Sequence, residues 1–218
     1  GKTTFILRQN NDVFNDTDWT PMVETTVDNA YVNRWNSGNK TVYTILNMDQ
    51  HGIDKPLFKV APDKGFHYVS LWHHEDLEPV EESGSAFIRA KAEGWQSALT
   101  GTRREAAVDC IAKLPDLLQA KLEGRTISFS AKGGSKVMIW KGNPSYNTMK
   151  RELIVKTDTV VDLEEIFGIY EGKIVIQLFD GKSLIDENVF NLKGGRPWLI
   201  SKNIATPVSS EIPEEMVF

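Results

Sequence analysis

Residues 173–179 (KIVIQLF) and 182–190 (KSLIDENVF) are two β-forming runs separated only by Asp180-Gly181, and this pairing constrains the chain more than any other feature. An Asp-Gly step between such runs favours a tight primed turn, so the segment reads as an antiparallel hairpin. The same arrangement recurs along the sequence. YVNRW (31–35) and KTVYTILN (40–47) flank Ser37-Gly38-Asn39, where Gly and Asn supply the positive φ of a hairpin turn. LFKV, the turn APDKG and FHYVSLW follow Lys55-Pro56, and SAFIRA (85–90) and WQSAL (95–99) bring the expected strands before residue 100 to at least six. A second series opens at TISFSA, where Ile127, Phe129 and Ala131 alternate with Thr126, Ser128 and Ser130, the period of a half-buried strand. Gly133-Gly134 leads into KVMIW, a polar KGNPSYN loop into RELIVKT, and PWLIS (197–201) closes the series.

Between the two series lies TRREAAVDCIAKLPDLLQAKLEG. Ala107, Ile111, Leu114, Leu118 and Leu122 recur at helical spacing, but Pro115 would interrupt a helix, and Val108, Cys110, Ala112 and Leu114 alternate as in a strand. The expectation is a strand up to Leu114 and a short helical turn after Pro115. DLEEIFG (162–168) reads as a short helix with Asp162 as N-cap and Gly168 as its stop. The reading is all-β with little helix: two antiparallel β-sandwich domains in tandem at 20–123 and 124–204. Residues 1–19 form an N-terminal remnant or linker that is partly helical or disordered, and 205–218 an exposed or docking tail.

The 218 residues suffice for one large domain or two ordinary ones. A net charge of −5 disfavours the capture of phosphates, so nucleic acid is not an expected partner. No apolar run approaches the roughly 20 residues of a membrane span, and residues 1–19 are not expected to act as a signal peptide. Gly1-Lys2 reads as a processing junction of a longer protein. The single Cys110, within AVDCIAKL, rules out an internal disulfide framework and reads as a buried small hydrophobe.

HYVSLWHHED (67–76) gathers three of the four histidines beside Trp72, Glu75 and Asp76, which raises a metal or catalytic centre. On one continuous strand, however, His73 and His74 aim to opposite faces, and His67 and His73 stand roughly 20 Å apart, too far for one ion. Structural roles are favoured, with no cofactor and no metal expected. The acidic pairs Glu81-Glu82, Glu164-Glu165 and Glu214-Glu215 read as solvated charge rather than as the opposed carboxyl groups of a glycosidase. The chain contains no Gly-x-Ser-x-Gly elbow, and KGGSK lacks the spacing of a phosphate-binding loop. Of six tryptophans, Trp35, Trp72 and Trp140 are the candidates for stacking on a sugar ring, against a reading in which they fill the core.

The order of these signatures adds one more reading. Thr20-Pro21, the Asn-x-aromatic Asn33 to Trp35, a Val-Tyr-Thr strand ending in Asn47, and Tyr-Val-x-Leu-Trp at Tyr68 to Trp72 resemble the β-sandwich modules that follow the catalytic (β/α)-barrel in secreted bacterial glycoside-hydrolase-like proteins. CIAKLP (110–115) resembles the closing strand of that module, and the second half, with FGIYEGKIVIQLFDGKSLIDENVF and GGRPWLIS, looks like an appended immunoglobulin-like module. The resemblance implies a non-catalytic accessory region, secreted or in the periplasm or cell envelope, whose partners are the barrel of its own parent chain and a polysaccharide. Catalytic carboxylates in such proteins lie in the barrel, so no catalytic residue is carried over. The alternatives are a carbohydrate-binding module using Trp35, Trp72 and Trp140, and a metal-dependent hydrolase centred on His67, His73, His74 and Glu75.

Overall fold

The computed structural model describes residues 1–96, 106–155 and 158–194. Two short helices, α1 (Lys2–Gln9) and α2 (Asn11–Phe14), open the chain. The strands that follow are β1 (Trp19–Val23), β2 (Ala30–Ser37), β3 (Lys40–Asn47), β4 (Ile53–Val60), β5 (Phe66–Ser70), β6 (Glu75–Leu77), β7 (Val80–Glu82), β8 (Ser85–Ala92) and β9 (Val108–Pro115). The second series is β10 (Leu118–Glu123), β11 (Thr126–Ala131), β12 (Lys136–Lys141), β13 (Lys150–Ile154), β14 (Thr159–Asp162), helix α3 (Leu163–Phe167), β15 (Gly172–Asp180) and β16 (Ser183–Leu192).

These strands form four antiparallel sheets: a six-stranded one ordered β1-β2-β3-β9-β5-β6, three-stranded β4-β8-β7, three-stranded β10-β11-β14, and four-stranded β13-β12-β15-β16. The all-β sandwich architecture expected from the sequence is what the chain adopts. Both hairpins read from their glycines close tightly. Ser37 pairs with Lys40 around Gly38, and Asp180 with Ser183 around Gly181. Each glycine sits at φ 57 in the first central position, where a side chain would be strained. Asp162 caps α3 by accepting from the backbone N–H of Glu164 and Glu165, and Gly168 ends it at φ 68.

Among the described residues three apolar cores hold the sheets together. The first, with Val32, Tyr43, Ile45, Leu57, Phe58, Ile88 and Ile111, lies between the six-stranded and β4-β8-β7 sheets. A matching core with Ile127, Phe129, Val137, Ile139, Ile174, Ile176 and Leu178 fills the second sandwich. The third joins the sandwiches back to back. Alternation along β9 sends Ile111 into the first core and Cys110, Ala112 and Leu114 into the third, and along β12 sends Ile139 one way and Met138 and Trp140 the other. Strands β9 and β12 are therefore buried on both faces.

The N-terminal residues complete that central core. Phe5, Ile6 and Val13 are buried in it. Lys40, only 4% exposed, pins them there: its Nζ lies 3.0 Å from Asp12 of α2 and donates to the Leu184 carbonyl of β16 at 2.7 Å. Burial pulls the Lys40 pKa down from its ordinary value, with Asp12 opposing.

Three sequence expectations are corrected. The segment after Pro115 is not a helical turn; β10 begins at Leu118 and pairs with β11. Trp95 and Gln96 take helical backbone instead of opening a strand. FHYVSLW is not one strand, because β5 ends at Ser70 and the chain turns through Leu71–His74 into β6, with Ser70 paired to Glu75. The expected strand PWLIS and the tail 205–218 lie outside the described residues.

Candidate functional site

The turn after β5 reorganises the histidine cluster. Ser70 Oγ accepts the N–H of His73 at 3.0 Å and donates to Asp109 Oδ1 at 2.8 Å, while the N–H of His74 reaches the Ser70 carbonyl at 2.6 Å. His74 takes φ 52 to close the turn. The imidazoles consequently leave in different directions, for a reason other than strand alternation.

His67, on β5, spans the two sandwiches. Its Nδ1 donates to Asp116 Oδ1 at 2.8 Å, and its Nε2 faces Asp186 Oδ1 at 3.2 Å and the Glu187 carbonyl at 3.1 Å. Desolvation opposes its charge, but the hydrogen bond and attraction of Asp186, reinforced by Asp116, outweigh it and raise the pKa to about 9. As an imidazolium it donates from both nitrogens, which fits this geometry. Asp186, fully buried on β16, also accepts the backbone N–H groups of Leu117, Leu118 and Glu187 at 2.8, 2.6 and 2.6 Å.

His74 and Glu187 form the deepest contact. Both are buried, with Nδ1 2.7 Å from Oε1. Gln177 Nε2 donates to the other Glu187 oxygen at 2.6 Å, and Gln9 Nε2 donates to Gln177 Oε1 at 3.0 Å. One polar chain thus runs from the β5–β6 turn through β16 and β15 to α1. His73 stays within the first sandwich, its Nε2 3.1 Å from the Lys91 carbonyl and 3.9 Å from Asp109 Oδ2. Burial raises the Asp109 pKa against the opposing pull of His73 and Ser70. Glu75 is also drawn aside: burial works against its charge, yet the hydrogen bond from Lys91 at 2.8 Å, with Lys173 and His73 nearby, holds its pKa below the usual carboxylate value.

Chemically, the cluster fastens the sandwiches. Ser70 Oγ donates to a carboxylate and not to an imidazole, unlike a nucleophile activated by a base. Among the described residues no three His, Cys, Asp or Glu side chains are grouped so as to hold a metal. Outside His67 an open groove of about 710 Å3, lined in part by Phe66, Asp76, Glu78, Asp116 and Asn188, follows the junction. Asp76 is itself exposed, yet desolvation by the groove walls, opposed by His67 and aided by Glu187, Glu78 and Asp186, raises it to about 6.

The candidate tryptophans come together, but at the central core. Trp140 is 1% exposed and meets Phe5 edge-on at 5.7 Å. Trp35 is half-buried, stacked on Trp19 at 5.1 Å and 15°, and donates from Nε1 to Thr44 Oγ1 at 3.3 Å. Trp72, also half-buried, carries the Lys2 ammonium 4.8 Å above its ring. Trp19 and Trp95 are the more exposed, at 47% and 42%. Sequence reasoning passed over Asp109, Gln177, Asp186 and Glu187. The signal for three of them was a polar residue inside an apolar strand: Gln177 in KIVIQLF, and Asp186-Glu187 in KSLIDENVF. No protein-family model matches the chain, and no curated protein matches it.

The His67 geometry carries a pH prediction. Its folded pKa lies above the ordinary 6.5, so the stability it contributes is complete below pH 6.5 and is lost as pH rises through about 9. The urea midpoint is expected to fall between those values, and His67→Gln to flatten the decline. Proton NMR should place the titration of this imidazole near 9; a midpoint near 6.5 would contradict the pairing.

Proposed function

We propose that the chain is a non-catalytic accessory region of a larger secreted carbohydrate-active protein, in which two sandwiches fastened back to back support and orient a catalytic barrel. One observation carries this reading. The titratable groups that most invite a catalytic interpretation, His67, His74, Asp186 and Glu187, are committed to one another across the junction. The attribution to carbohydrate rests on the strand signatures between Thr20 and Ser201.

The test is turnover by the purified chain on a panel of glycosides, together with the thermal stability of a barrel expressed with and without it. No turnover and a stabilised barrel are expected. Glycoside hydrolysis abolished by replacing one of the chain's own carboxylates would overturn the reading. A second reading, a carbohydrate-binding module, has Trp19 in its favour, since this exposed ring lies on Trp35 at the edge of the six-stranded sheet. Glycan titration that quenches tryptophan fluorescence, and fails to do so in Trp19→Ala, would favour it.

A further inference from the structure

Three sheet edges converge on the groove outside His67. β6 ends the six-stranded sheet, β10 the β10-β11-β14 sheet and β16 the four-stranded one, and Leu77, Ala120 and Val189 of these strands line the same groove of about 710 Å3. An edge strand presents backbone N–H and C=O groups that no neighbouring strand takes up.

The junction contacts show which way two of these edges face. Asp186 accepts the N–H of Leu118, so the peptide groups of Leu118 turn away from β11. By the two-residue period of a strand those of Ala120 turn the same way, into the groove. Likewise the Glu187 carbonyl meets His67 Nε2, and Val189, two positions on, repeats its direction. His67 and Asp186 bridge the two edges where the groove begins. Further along, β10 pairs with β11 alone and β16 with β15 alone.

The groove is also acidic. Charged side chains in its described lining are Asp63, Asp76, Glu78, Asp116 and His67, with no Lys or Arg among them. Lys113 holds Asp63, and His67 is shared by Asp116 and Asp186. Asp76 and Glu78 are exposed and make no ion pair or side-chain hydrogen bond among the described residues. Beside them Phe66, Leu77 and Phe190 offer apolar surface to alternate side chains of an extended chain. Such a wall complements basic side chains and repels acidic ones. We propose that this groove takes an extended segment of a partner protein, added as a further strand along the β16 edge at Val189, with a Lys or Arg of that segment reaching Asp76 and Glu78. Backbone pairing holds the segment, and the two carboxylates select it.

Selection from a phage-displayed library of random peptides about nine residues long, with the full chain as target, tests this. Peptides in which apolar residues alternate with Lys or Arg are expected to be enriched. A synthetic copy of a selected peptide should shift the backbone amide NMR signals of Ala120 and Val189 and lose affinity in high salt. The double variant Asp76→Asn, Glu78→Gln should bind it about tenfold less tightly, and because both side chains are exposed its Tm should match that of the parent. N-methylation of alternate peptide residues leaves the protein untouched. It should abolish binding for one of the two alternate sets and spare it for the other, since a strand pairs on each side through every second residue. Selected peptides without a basic residue, amide shifts confined to other parts of the chain, or affinity indifferent to the double variant or to both N-methylated sets would each overturn the proposal, as would a library with no enrichment.

Discussion

Trp140→Ala is expected to lower the unfolding free energy by about 3–5 kcal/mol and the Tm by roughly 10 °C. Trp140 is among the largest fully buried side chains of the chain, and it stands where three parts of the fold meet. Its strand belongs to the second sandwich, its ring meets Phe5 of α1, and the core around it includes Val69, Ala112 and Leu114 of the first sandwich. Truncation leaves a cavity that no single layer can collapse to fill, which places the cost high in the range for large-to-small changes. Trp140→Phe separates size from polarity. It keeps an aromatic ring and removes an Nε1–H that has no acceptor among the described residues, so a loss of under about 1.5 kcal/mol is expected. A sugar platform at this position requires the opposite outcome: stability unchanged in Trp140→Ala and glycan affinity lost. Urea denaturation with a glycan titration distinguishes the two.

The sandwiches were legible in the sequence because each has a half-buried sheet. TISFSA points Ile127 and Phe129 inward and Thr126 and Ser128 outward, and the period of two survives in the burial pattern of β11. Turn chemistry was equally readable at Gly38, Gly181 and the Asp162 cap, where one local conformation is demanded whatever the tertiary setting. The stacking of one sandwich on the other was harder to see. It was written in KVMIW and KIVIQLF, whose nearly unbroken apolar character marks strands buried on both faces, a pattern that resembles an ordinary strong strand when only alternation is sought.

The segment after Pro115 was misread for a related reason. Leu114, Leu118 and Leu122 recur every four residues, a spacing that keeps one face on a helix and on a strand alike. Only the pairing of β10 with β11 decides between them. Trp95 and Gln96, the described start of WQSAL, belong to a run too short for periodicity to separate helix from strand. The histidine cluster failed differently. Its spacing argument required a strand running through His73, whereas the strand ends three residues earlier because Ser70 turns back to hold the N–H of His73. Which carboxylates the imidazoles would meet was beyond local reading, since His74 and Glu187 stand 113 positions apart.

That long-range pair gives the second large effect. Glu187→Ala is expected to cost about 3–5 kcal/mol, because it strands His74 and Gln177 in a region shut off from water. His74→Ala should cost a similar amount for the mirror-image reason, leaving one Glu187 oxygen without its partner. The two losses should not add. With both groups gone no unmatched charge remains, and the double variant should lie well above the sum of the singles in a urea-denaturation cycle. A catalytic pair held under strain behaves otherwise, since removing a buried acid whose position serves chemistry commonly raises stability. A Glu187→Ala protein with a higher urea midpoint than the parent would therefore sink the fastening role. A large, non-additive loss would tie the stability of the whole stack to a contact between a turn of one sandwich and the last described strand of the other.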